Sequence, residues 1–225
     1  MTSKTIATAL AVACSALVAS CGGGGGDGNS DVTIYGTCGN TPNYRSELGE
    51  FSRWKRFPIT VGLDFSAAPS FSDPNIASIY LRALQAGASG WNVGNGIGGF
   101  SFVVGRNADI VIEFDPNFGA SQLLGLTVSQ YNGSYKTGLT RIYLNAVYFR
   151  DVLANAPLAN FERRLQEIVQ HEMGHALFSS SASGGSGTQG HSLDSRDVMA
   201  NGGNGGIALS QRDINSIREA YCRAL

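Results

Sequence analysis

The feature that most constrains this chain is His171-Glu172-Met173-Gly174-His175, set in a stretch with helical apolar spacing. Leu165, Ile168, Val169, Met173, Ala176 and Leu177 recur at helical intervals and predict an amphipathic helix with one buried side. Residues four apart on a helix share a face, with Cβ atoms about 5–6 Å apart. Two imidazoles placed in this way can reach one metal ion, and a carboxylate beside the first can take a proton from water held there. Pro157 and Asn160 precede the run, so Asn160 is the expected N-cap, with Glu162 in the first turn. Gly174 costs about 1 kcal/mol relative to Ala in mid-helix, a cost that a close approach to the sheet would justify.

The chain has 3 histidines, and the last, His191, lies beyond a serine- and glycine-rich run. A catalytic zinc takes three protein ligands and keeps a fourth position open. His171, His175 and His191 are therefore the expected ligands and Glu172 the expected general base. Asp194 or Asp197 is the alternative to His191.

Upstream, Phe57–Phe65 alternates apolar with small or polar residues, as a half-buried strand does. Asp73-Pro74 marks a helix start, and Ile76, Ile79, Tyr80, Ala83, Leu84 and Trp91 carry a helix over 74–92. Strands follow at Phe100–Val104, at Ala108–Phe114 (apolar enough to be central), at Leu123–Gln130 and at Thr140–Leu144. Tyr131-Asn132-Gly133-Ser134 reads as the turn between the last two. The order implies an α/β (α+β) domain with one mixed sheet. Asp109, Glu113 and Asp115 read as solvated or capping carboxylates without a metal.

The first residues are a targeting segment. Lys4 and the apolar run Ile6–Val18 have the form of a secretory signal, too short for the roughly 20 apolar residues a bilayer span needs. Leu17-Val18-Ala19-Ser20-Cys21 resembles a bacterial lipobox, which makes Cys21 a lipidated mature N-terminus; an ordinary signal peptide is the alternative. The expected organisation is a signal over 1–20, a lipidated, glycine-rich tether and N-terminal segment over 21–50, and a catalytic domain over 51–225. Gly22 after the cysteine favours the outer over the inner membrane, with the cell surface the other envelope location. Of the 4 cysteines, Cys38 and Cys222 then remain, and in an oxidising envelope they pair as a disulfide. A net charge of −1 without a basic cluster excludes an electrostatic nucleic-acid binder. A monomer is expected.

The region past the second histidine carries a family resemblance. Ala176-Leu177, the His191-Ser192 pair and Asp197-Val198-Met199 resemble the extended zinc motif and Met-turn of the metzincins. Arg53-Trp54, Pro58-Ile59-Thr60-Val61, Ala108-Asp109-Ile110 and Leu209-Ser210-Gln211-Arg212-Asp213-Ile214 resemble the matrixin branch, over roughly 53–222. The resemblance implies a zincin fold: a twisted mixed sheet, an active-site helix, a Met-turn at Met199 and a C-terminal helix. It also implies a zinc-dependent endopeptidase acting on protein or peptide, with the strand at Leu123–Gln130 as the sheet edge beside the substrate. The segment after Met199 would line the pocket for the residue beyond the cut. Calcium is left open by the family, and no residue pattern here supports it.

The chain departs from the family between its second and third histidines. Phe178 and Ser181 stand where the family has its glycine and third histidine, and Ala176–Gly190 separates His175 from His191. A threefold longer loop costs only about 1 kcal/mol of closure entropy, so His191 stays the expected ligand. Cys38-Gly39-Asn40-Thr41-Pro42 loosely echoes the inhibitory cysteine segment of matrixins, a rival to the disulfide. Two other functions compete with the endopeptidase: an inactive zinc-containing binding lipoprotein, and a zinc hydrolase of cell-wall peptides.

Overall fold

The computed structural model describes residues 52–94, 97–118, 123–132, 135–178, 190–200 and 206–222. The signal segment, Cys21, the tether and Cys38 lie outside the described residues, as does the side chain of Cys222, so the expected lipidation and disulfide fall outside them too.

The chain runs β1 (Ile59–Asp64), α1 (Pro74–Ser89), β2 (Phe100–Val104), β3 (Ile110–Asp115), β4 (Gly125–Val128), β5 (Tyr131–Asn132), β6 (Tyr135–Lys136) and β7 (Thr140–Asn145). Helices α2 (Ala146–Asn155), α3 (Leu158–Leu177) and α4 (Gln211–Cys222) follow. Five strands form one mixed sheet in the order β2-β1-β3-β7-β4. β1, β2, β3 and β7 are parallel, and β4 returns antiparallel to β7 along one edge. β3 is central and buried for its first five residues, as its continuous apolar run predicts. β4, within the expected Leu123–Gln130 strand, is the edge.

Helices α1 and α3 pack side by side against the sheet. Tyr80, Leu84, Trp91, Ile112, Ile142, Phe149, Phe161 and Leu165 meet in one core with the buried face of α3. No helix among the described residues is long and apolar enough to cross a membrane.

Several local expectations are corrected. Helix α1 stops at Ser89, capped by Gly90, so Trp91 is buried from a turn beyond the helix. Asp73 does cap it, accepting from Asn75 N at 2.8 Å. Helix α3 starts earlier than Asn160: Pro157 is its N-cap, without a side-chain cap, and its carbonyl accepts from the amides of Asn160 and Phe161. Glu162 thus falls outside the first turn and pairs with Arg82 at 3.0 Å. Tyr131-Asn132 is the first strand of a small hairpin with Tyr135-Lys136. Glu113 is not solvated; it is buried between Arg106 and Arg141, each at 2.7 Å. Asp109 accepts from the amide and hydroxyl of Thr60 at 2.8 and 2.7 Å.

Candidate metal centre

From Gln170 to Leu177 every residue of α3 is buried, so the motif lies at the inner end of the helix. An α-helix leaves its last four carbonyls without helical partners. Here each finds a donor. Phe178 N donates to Gly174 O at 3.0 Å and Lys136 Nζ to His175 O at 2.9 Å. Trp54 Nε1 donates to Ala176 O at 2.9 Å and Tyr221 Oη to Leu177 O, also at 2.9 Å. Apart from Phe178, the helix's own C-cap, these partners come from the segment just before β1, the β5–β6 hairpin and α4, and together they fix the end of the helix that carries the motif. Lys136 is buried, which pulls its ammonium down to about 7, while its place at a helix C-terminus favours the cation.

His171, His175 and His191 each offer a ring nitrogen, all within 4.8 Å of one another. His191 Nε2 stands 3.1 Å from His171 Nε2 and 3.3 Å from His175 Nε2. A tetrahedral ion with Zn–N bonds of about 2.0–2.1 Å holds its nitrogens about 3.3–3.4 Å apart. A single hydrogen bond links two nitrogens, whereas here three converge, and the three form a group that can hold a metal ion.

The protonation states suit that role. His171 Nδ1 lies 2.8 Å from Val198 O, and a carbonyl can only accept, so Nδ1 carries the proton and Nε2 keeps its lone pair. Burial pulls His171 down to about 4 and His175 well below the ordinary histidine range. Both imidazoles are therefore neutral at pH 7, the state in which a ring nitrogen binds a cation.

Glu172 points toward β4. Its Oε2 accepts from Thr127 Oγ1 at 2.7 Å, the shorter of that hydroxyl's two contacts. Burial pushes Glu172 up to about 7, opposed by the Thr127 bond. Gly125 lets the strand come this close: a Cβ there would lie 2.7 Å from Glu172 Oε1. The edge strand therefore holds one carboxylate oxygen by a hydroxyl and leaves space for the other by a missing side chain.

The third histidine stands on the loop from Gly190 to Ala200, which is closed by Ser192 N donating to Met199 O at 2.7 Å. A tight turn spans Asp197–Ala200, with Ala200 N donating to Asp197 O at 3.0 Å. Met199 is fully buried and pressed onto α3. A Cβ on Gly174 would meet its Sδ at 2.2 Å and Trp91 Cζ2 at 2.8 Å. The close approach at Gly174 is therefore to the loop and Trp91, not to the sheet as its sequence position suggested.

Asp194 and Asp197, the alternatives to His191, are engaged elsewhere. Asp194 binds Arg196 at 2.6 Å, and Asp197 binds Arg212 at 2.8 Å. At the start of α4, Ser210 Oγ accepts from Asp213 N at 3.0 Å while Asp213 Oδ2 accepts from Ser210 N at 2.9 Å, a capping box. Asp213 also accepts from Val198 N at 2.9 Å and Met199 N at 3.3 Å.

Of the site residues expected from sequence, the structure brings together His171, His175, His191, Glu172 and Met199. Residues 201–205, which begin the expected pocket wall, lie outside the described residues. Sequence reading did not single out Thr127, Gly125, Lys136 or Tyr221. Only a polar residue in an apolar edge strand, as at Thr127, offered a signal. Comparison of the chain with protein-family models and with curated proteins finds no match to either.

Proposed function

We propose that this chain is a zinc-dependent endopeptidase, with the ion held by His171, His175 and His191 and Glu172 as general base. The observation that supports this most is the convergence of three ring nitrogens at 3.1 and 3.3 Å, with a buried carboxylate on the residue between two of them in sequence. Bound there, zinc supplies Lewis-acid activation of water and of a peptide carbonyl.

Glu172 takes a proton from the attacking water and passes it to the departing amine nitrogen. A C–O bond forms as the C–N bond breaks, so one water is consumed and a carboxyl and an amine are released. Thr127 restrains Oε2 and leaves Oε1, beside Gly125, as the atom that moves the proton. The outer edge of β4 offers backbone donors and acceptors to an extended peptide, the mode by which a strand adds to a sheet. This agrees with the matrixin resemblance, while an envelope location with a lipid anchor on Cys21 rests separately on the lipobox-like Leu17-Val18-Ala19-Ser20-Cys21.

The test is cleavage of casein or a peptide library by the mature protein, with zinc stoichiometry measured on the same preparation. One zinc per chain and cleavage are expected. Glu172→Ala should keep the zinc and lose about 10²–10⁴-fold in rate. Equal rates for the two proteins, or no cleavage with zinc bound, would sink the proposal. Mass spectrometry of that preparation should find an acylated Cys21 at the N-terminus; a different N-terminal residue removes the anchor.

A further inference from the structure

His191 follows a stretch three times longer than the matrixin pattern has, yet its ring sits against the two helix histidines. Its neighbour Ser192 is restrained at every polar atom that the described contacts reach. The amide donates to Met199 O at 2.7 Å. The hydroxyl donates to Asp197 Oδ2 and accepts from Asp194 N and from Arg212 Nη2, both at 3.1 Å. A serine hydroxyl has one proton and two lone pairs, so those three bonds fill it.

Arg212, in the first turn of α4, reaches two of these groups at once. Its Nε donates to Asp197 Oδ2 at 2.8 Å and its Nη2 to Ser192 Oγ. The other oxygen of Asp197 accepts from Ser210 Oγ at 2.6 Å. The Asp197 side chain is 3% exposed, so its orientation is set by these donors and not by solvent. A planar guanidinium can serve two acceptors in fixed relative positions, which an ammonium cannot.

We infer that Arg212 is a positioning residue for the metal centre: its guanidinium locks Asp197 and Ser192 together, and Ser192 in turn fixes the backbone from which His191 projects. The inference rests on reading the histidine triad as a metal site. The restraint acts from the C-terminal side of His191, so the third ligand is registered against α4. The geometry of the triad then does not require a particular length between residues 178 and 190.

Zinc affinity measured by competition with a chromophoric chelator tests this without using turnover. The full-length wild type, Arg212→Met, Arg212→Lys and Ser192→Ala are compared, with circular dichroism to confirm folding and Co²⁺ absorption bands to report ligand geometry. Groups that orient a metal ligand typically change affinity by about 10–100-fold when removed. Arg212→Met is expected to weaken zinc by that factor and alter the Co²⁺ bands, with Arg212→Lys recovering only part of the loss. Ser192→Ala keeps the Arg212–Asp197 ion pair but cuts its link to His191, and is expected to weaken zinc about tenfold. If Arg212→Met does not fold, Ser192→Ala decides alone. Affinity within about twofold of wild type in the folded variants, even with a lowered melting temperature, overturns the inference and leaves the metal site standing. A wild type that binds no zinc removes the metal reading itself.

Discussion

Two regions supply the three imidazoles, and they are held by different physics. In α3, His171 and His175 are placed by helical repeat, and the helix is pinned by donors to each of its last four carbonyls. In the 190–200 loop no repeat operates. His191 and Met199 are placed by carboxylates: Asp213 gathers the amides of Val198, Met199 and Ser210, and Asp197 gathers Ser192, Ser210 and Arg212. A helix spreads its order over many equivalent bonds, while this loop concentrates it in two buried side chains. Loss of one side chain should therefore cost the loop more than the helix.

The sharpest way to break that contrast is Asp213→Ala. Three backbone amides would lose their acceptor, and each buried unsatisfied donor costs about 1–3 kcal/mol. A loss of about 3–4 kcal/mol in urea unfolding is expected, together with weaker zinc binding, because Val198 also holds His171 Nδ1. A loss below about 1 kcal/mol would show that the loop does not depend on this carboxylate.

Gly174→Ala probes the junction. Helix propensity favours alanine by about 1 kcal/mol. The new methyl would meet Met199 Sδ and Trp91, and overpacking of this kind costs about 1–3 kcal/mol. Net destabilisation of about 1 kcal/mol is expected, and the same change should cost less in a Met199→Ala background, itself about 2–5 kcal/mol less stable than wild type. Stabilisation by the single change would mean that loop and helix are not in firm contact.

Lys136 tests the helix side through pH. Its folded-state value of about 7 lies below the ordinary 10.5, so between those values the unfolded chain holds a proton that the folded chain has released. Stability should therefore rise with pH in this window, by about 2 kcal/mol from pH 7 to pH 9 in metal-free protein. The dependence should flatten in Lys136→Met. Urea titrations at three pH values check it, and an identical slope in both proteins would remove Lys136 from the account.

The same contrast explains what could be read from sequence. The buried side of α3 was legible because Leu165, Ile168, Val169, Met173, Ala176 and Leu177 repeat at helical intervals, and all of them are buried. The histidines followed from that repeat. The loop's framework was not legible, because Asp197 and Arg212, or Val198 and Asp213, are 15 residues apart and meet by side-chain geometry that leaves no period. Helix α2 was missed for a related reason: Asn145 both ends β7 and caps the helix, accepting from Tyr148 N at 3.0 Å, so no turn residues separate the two. Trp91 extended the expected helix because apolar spacing reports burial, and burial continues past Ser89.

Phe178 ends α3 as a fixed post. Its ring is fully buried against Trp91 at 5.1 Å, and its carbonyl accepts from Ser52 N at 3.0 Å. Ser192 is a second post, tied to Asp197, Met199 and Arg212. The interval between them is therefore held by the domain at both ends. Doubling its length adds only about 0.6 kcal/mol of closure entropy. For an engineer, a recognition sequence or a reporter peptide would be spliced between Phe178 and Gly190, which leaves His191 and its restraints at Ser192 unchanged.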